Sequence, residues 1–229
     1  MTDVIKLLDQ AISRFVHGAT ETSTLAASLD RVRIIRKATL GLLAGLSQQQ
    51  VDFSPAPGKW SIAQIVDHLT LTDGLYQPVF RQMIERARAG NEDVFHIDIR
   101  EMDPTVGYIP RAVMPFVAPA FSLFSTLVPH PVREAVLRLP LVPSGAPTRS
   151  MPRSGLTADQ LRANLAEAFE ATERLVESGL PPAFERMRAE HPVLGVNTPA
   201  EFLDLMSAHE ERHQRQICAV LSSLAEPRL

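Results

Sequence analysis

A single cysteine, Cys218, in 229 residues leaves no internal disulfide framework and no zinc site built from cysteines alone. Aromatic side chains are scarce, with one Trp, two Tyr and ten Phe. Positive charge is not in excess: 23 Lys and Arg face 26 Asp and Glu, for a formal net charge of -3. That balance excludes a protein that coats nucleic acid through overall basicity. Long apolar runs are missing as well. The longest apolar-rich stretch, Val113 to Pro129, has 17 residues broken by three prolines, too short and too interrupted for an ordinary transmembrane helix. The opening MTDVIKLLDQAISRF carries charges inside its apolar pattern, unlike a signal-peptide core. These absences set the expectation of a soluble, cytoplasmic protein, not bound to membrane or nucleic acid. The length suits one domain across residues 1–229.

What the chain has is helical periodicity. Leu25, Leu29, Val32, Ile35, Leu42 and Leu46 recur at three- and four-residue steps or their sums, with Arg31, Arg33, Arg36 and Lys37 between them. A shorter helix with Val4, Leu8, Ile12 and Phe15 is expected before it, separated by Gly18 and a Thr/Ser-rich stretch. Pro55, Pro57 and Gly58 then mark a turn. Ser61 and Gln64 form a capping-box pair opening a helix through Ile62, Ile65 and Leu69, which Gly90-Asn91 would end. Gly74 and Pro78 are its candidate kinks. Thr157 and Gln160 open a third helix carrying Leu161, Leu165 and Phe169. Thr198, Pro199 and Glu201 open a fourth, with Phe202, Met206, Ile217 and Val220 on one face. No strand alternation of useful length is present. Four apolar stripes predict an all-α protein, an antiparallel four-helix bundle.

Residues 104–152 interrupt the pattern. Ten of the 18 prolines fall within these 49 positions, yet the stretch is rich in Phe, Val and Leu. It is expected to be an ordered crossover between the second and third helices, with Phe116, Phe121 and Phe124 packed on the bundle or a partner subunit.

The last helix contains His209-Glu210-Glu211-Arg212-His213. Histidines four residues apart project from one side and can approach one metal ion. Met206, His209, His213, Ile217 and Val220 form one continuous series, so both imidazoles fall on the apolar stripe, where they need partners. Such a pair serves either as ligands or as polar decoration. His68 is the candidate third ligand, on the interior edge of the second helix; its other reading is a partly buried histidine bonded to a backbone carbonyl. Three histidines on facing helices would leave a coordination position open for water or substrate. His17, His96, His130 and His191 lie near a helix end or in irregular text, where surface or turn placement is expected. The same five residues match the H-E-x-x-H zinc-peptidase pattern, in which Glu210 would be the general base. No third downstream histidine follows, and only 16 residues remain, so a peptidase is disfavoured.

Gly58-Lys59-Trp60-Ser61-Ile62-Ala63-Gln64-Ile65-Val66-Asp67-His68-Leu69 resembles the W-S-x-x-[EQ]-x-x-x-H-L helix of the DinB/YfiT-like superfamily. Ala208-His209-Glu210-Glu211-Arg212-His213-Gln214-Arg215-Gln216-Ile217 is similar to its H-x-x-R-H-x-x-Q helix, and Pro192-Val193-Leu194-Gly195 to its short turn before the last helix. The resemblance spans roughly residues 25–225. It implies an up-down-down-up four-helix bundle holding a divalent metal, nickel or zinc, on His68, His209 and His213. Family members include thiol-dependent transferases and isomerases using bacillithiol, mycothiol or glutathione, and dimers are frequent among them. A homodimer acting on a small molecule, with a low-molecular-weight thiol as co-substrate, is the corresponding expectation. Two features depart from the family pattern: Gln64 stands where Glu is frequent, and the crossover is longer than in compact members.

Other motif residues have their own expected roles. Trp60, one residue before the cap, would pack as a hydrophobic staple. Arg212 would pair with Glu211 or another helix's carboxylate, ahead of its other reading as a contact for an anionic substrate. Gln216 would orient a ligand's second ring nitrogen or the nucleophile. Glu210 or Gln216 would shuttle a proton. Cys218 is expected to be buried and inert. Two functional classes follow: a metal-dependent thiol transferase, isomerase or hydrolase, or a non-catalytic domain whose metal ties helices together for dimerisation or protein interaction.

Overall fold

A computed structural model describes residues 24–97, 148–177, 179–191 and 195–225. The expected helix at Val4–Phe15, most of the 104–152 crossover with its three Phe residues, and His17 and His130 lie outside the described residues.

The four long helices form where the periodicity places them. Helix α1 spans Leu25–Leu43 and is capped by Thr24, whose hydroxyl accepts from Ala27 N at 3.2 Å. A short helix, α2 (Gln48–Asp52), follows with a capping box between Ser47 and Gln50. It was not expected, because five residues are too few to display a period. Helix α3 (Ile62–Arg88) starts at the Ser61–Gln64 capping box and continues through Pro78. It ends as anticipated. Gly90 takes φ +69°, Asn91 N donates to Arg86 O at 3.0 Å, and Gly90 N donates to Ala87 O at 3.2 Å, a Schellman closure that needs the left-handed glycine. Helix α4 (Ala158–Glu177) begins at the reciprocal Thr157–Gln160 pair, and α5 (Pro199–Ala225) at Thr198–Glu201.

The molecule is not purely helical. Strand β1 (Phe95–His96) pairs in parallel with β2 (Ala189–His191), which pairs antiparallel with β3 (Gly195–Asn197). Strands of two or three residues fall below the length at which alternation can be read, which is why an all-α protein was expected. His96 and His191 therefore lie in strands, with His96 exposed and His191 buried against Tyr76. Phe184 to Arg186 form a 3₁₀ turn.

Packing is pairwise: α1 lies chiefly against α5, and α3 chiefly against α4. Two apolar clusters fill the interior. One gathers Leu43, Ile62, Ile65, Leu69, Leu165 and Ile217; the other gathers Val32, Phe80, Met83, Phe169, Phe184 and Phe202. Each long helix contributes to both. Between the clusters along α1 fall Arg36 and Thr39, along α3 Asp73, with His68 at the inner margin of the first cluster beside Leu69, and along α5 His209, Glu210 and His213. A polar layer thus divides the core.

Arg36 anchors that layer. Its Nε lies 2.9 and 3.1 Å from the Glu210 carboxylate oxygens, its Nη2 donates to Glu210 at 2.9 Å and to Asp73 at 2.8 Å, and its Nη1 donates to Leu165 O at 2.5 Å. One guanidinium on α1 therefore binds α3, α4 and α5 together. Thr39 Oγ1 also donates to Glu210, at 2.5 Å. Two carboxylates against one cation leave excess negative charge in the interior. Burial, with Glu210 nearby, pushes the Asp73 carboxyl up to about 6 despite the opposing pull of Arg36.

Arg36→Met should cost about 3–5 kcal/mol at pH 8, since it strands two buried carboxylates. A carboxyl whose folded pKa lies above its unfolded value binds a proton on folding as pH falls, so acid stabilises it. The penalty should therefore shrink at pH 5. Urea unfolding of variant and parent at both pH values checks this; equal losses would contradict it.

Candidate metal centre

His68 comes from α3, and His209 and His213 from successive turns of α5. The apolar stripes turn all three imidazoles inward, and their ligand atoms lie within 4.8 Å of one another. His68 Nε2 is 3.3 Å from His209 Nε2, and His213 Nε2 is 3.0 Å from the same atom. His68 and His213 are buried, while His209 is half-buried.

The outer ring nitrogens of His68 and His213 are engaged. His68 Nδ1 lies 2.8 Å from Ser150 O, and because a carbonyl only accepts, Nδ1 carries the hydrogen. His213 Nδ1 lies 2.7 Å from Gln216 Oε1 and donates in the same way. In neutral rings both Nε2 atoms then present lone pairs to the centre. His209 Nε2 carries at most one hydrogen, which can satisfy only one of them. A divalent cation satisfies all three. Two nitrogens about 2.0–2.1 Å from one zinc ion stand roughly 2.9–3.4 Å apart as the angle between them opens from square to tetrahedral. The two separations from His209 Nε2, 3.3 and 3.0 Å, fit that range, and all three ligand atoms lie within 4.8 Å of one another. Both expected readings of His68 hold together: it is bonded to a backbone carbonyl, and that bond is what frees Nε2 for a ligand's role.

Electrostatics keep the rings neutral. Burial lowers the pKa of His68, against the raising effect of the Ser150 carbonyl. Burial, then His213 and His68, hold His209 well below its usual range. Burial and His68 bring His213 down to about 3. Arg212 adds to the depression of all three.

The other expected site residues separate. Gln216 meets His213 and is placed to position it. Glu210 does not reach the histidine cluster as a base would. Its carboxylate is turned to α1 and bound there by Arg36 and Thr39, partners that the motif does not indicate. Gln64 Oε1 accepts from Ser61 N at 3.0 Å, so the Glu-to-Gln departure falls in a helix cap. Trp60 packs beside the cluster containing Ile65, as a staple does, and its ring also lies 5.0 Å from that of His68 and is stacked 6.3 Å from that of His213. Cys218 is exposed, contrary to expectation, because it falls one step past the buried Ile217 on the α5 stripe. The sequence reading missed Ser150, which is 82 residues from His68 and carries no motif.

The depressed pKa values imply acid sensitivity of the metal-free fold. Below about pH 6.5 the unfolded chain protonates these histidines and the folded chain does not, so stability is full above that pH and falls as pH drops. Replacing His209 by Leu should remove about one proton from the linkage between pH 6.5 and 4.5, flattening the slope by roughly 1.4 kcal/mol per pH unit. Urea midpoints in chelator across this window measure it, and an unchanged slope would refute the assignment.

Comparison with known proteins agrees with this geometry. The chain matches no curated protein and no solved structure. The model of the DinB superfamily matches residues 31–217, a span that contains the whole three-histidine cluster and its Gln216 partner. The chain belongs to the DinB superfamily.

Proposed function

We propose that this is a metal-dependent enzyme acting on a small molecule, with a low-molecular-weight thiol as co-substrate, by transfer, isomerisation or hydrolysis. The observation that carries the reading is the convergence of three imidazole nitrogens, and no more than three candidate ligand atoms, among the described residues. Neutral ligands leave a divalent ion its full double charge, and with an open position it supplies Lewis-acid activation of a thiol or water near neutral pH. Nickel and zinc both suit imidazole.

The chain's own residues divide the remaining work. His68, His209 and His213 hold the ion. Ser150 O and Gln216 keep the outer nitrogens protonated and the rings aimed inward. Trp60 walls one side of the imidazole cluster. Substrate approaches along the half-buried His209 edge. Glu210 holds the helices together through Arg36 and moves no proton. A homodimer in the cytoplasm completes the proposal, on the family resemblance.

The near-complete burial of His68 and His213, on helices that pack mainly against other partners, favours a second reading. An ion there would tie α3 to α5 without catalysis, in a domain for dimerisation or protein interaction. The two readings part at the open position, where catalysis needs exchangeable water or anion.

Protein purified without a His tag or chelator should contain about one divalent ion per chain by elemental analysis. His68→Ala, His209→Ala and His213→Ala should each lose most of it, and metal retained in all three would remove the site. The metal-loaded protein should turn over substrates in a screen of thiol-conjugation and hydrolysis reactions, with His68→Ala at background while still folded. Activity surviving in folded, metal-free His68→Ala would overturn the mechanism, and silence across the screen would favour the structural reading.

A further inference from the structure

Asp67 adjoins His68 on α3, yet it faces elsewhere. It is 1% exposed, a deeply buried carboxylate. Its Oδ2 accepts from the Arg153 backbone N at 2.6 Å, and its Oδ1 from Arg153 Nη2 at 2.5 Å; Arg153 Nε lies 3.2 Å from both oxygens. Arg153 itself is about half exposed. Three residues earlier, Ser150 O receives the His68 Nδ1 hydrogen. Consecutive residues of α3 therefore grip two points of one short segment, residues 150–153. One grip is the ion pair; the other is the bond that selects the His68 tautomer.

We propose that the Asp67–Arg153 pair is a positioning latch for the metal centre, holding residues 150–153 against α3 so that the Ser150 carbonyl orients His68. The inference rests on the metal-binding reading above and concerns how that site is assembled. Ser150 reaches His68 through its backbone, so no side chain at position 150 can set this contact, and what locates the carbonyl is the anchoring of its segment. The main-chain N–H of Arg153 is itself one of the anchors, which fixes the backbone as well as the side chain. A charge-assisted, bidentate pair with one partner buried is suited to this role, since leaving the Asp67 carboxylate without it would be costly. The coupling is reciprocal. If docking of the segment raises affinity for an ion on His68, binding of the ion must tighten the docking by the same factor.

Cobalt(II) is the probe, because its absorption spectrum reports ligand set and affinity together. Outer-shell partners of a ligating histidine are worth about ten- to hundred-fold in affinity. Asp67→Ala, which removes both the main-chain and the side-chain contacts with Arg153, should weaken cobalt binding by that factor. Arg153→Gln keeps the main-chain anchor and alters only a half-exposed side chain, so it will fold; it should weaken binding by about threefold or more. The double variant should bind no worse than Asp67→Ala, since both changes act through one pair. In the parent chain, cobalt should slow hydrogen exchange at the Arg153 amide. Affinities of both variants within twofold of the parent, or an Arg153 amide indifferent to cobalt, would overturn the latch even if the variants are less stable. A parent chain that binds no cobalt would instead remove the metal reading itself.

Discussion

One guanidinium determines how the helices stand relative to one another. Arg36 extends from α1 into the centre of the bundle and binds a carboxylate on α5, a carboxylate on α3 and a main-chain carbonyl on α4. Apolar packing alone is tolerant of sliding, since one aliphatic contact replaces another at modest cost. A planar cation with directed donors is not. It sets the height of Asp73 and Glu210, and with them the height of the histidines on the same helices. His209 and His213 flank Glu210 by one and three residues, and His68 lies five residues from Asp73. The approach of the His68 and His213 Nε2 atoms to within 3.3 and 3.0 Å of His209 Nε2 therefore depends on a contact in which no histidine takes part.

The polar layer has an energetic cost, and its position limits that cost. Buried ionic groups are rarely the cheapest way to fill a core. Here they are confined between two apolar clusters, each of which draws on all four long helices. The clusters hold the bundle closed at both ends, and the layer between them gives it a defined register. The histidines belong to the same layer but differ in what they lack. Arg36, Asp73 and Glu210 satisfy one another within the protein, whereas among the described residues the three imidazole nitrogens face one another.

Much of this was legible in the sequence because it depends on local rules. Ser61–Gln64, Thr157–Gln160 and Thr198–Glu201 are short, directional signals, and each opens a helix at the residue they indicate. The histidines were legible because they occupy apolar stripes, where an imidazole needs a reason to be. Failures came where length or distance defeats local reading. The strands at Phe95, Ala189 and Gly195 have two or three residues and exist through pairing across the fold. Glu210 was assigned by a motif, although its partner Arg36 is 174 residues away and the stripe that contains Arg36 reads as apolar with charged neighbours. Ser150 acts through its backbone, which no side-chain pattern can advertise.

The sole tryptophan of the chain stands over this centre, 5.0 Å from one imidazole ring and stacked parallel to another. All indole emission from the protein therefore originates beside the three nitrogens, with no second fluorophore of its kind to dilute it. A paramagnetic ion with partly filled d orbitals is an efficient quencher at such range, and a closed-shell ion is not. The molecule thus carries its own optical gauge of what its histidines hold, readable without label or substrate.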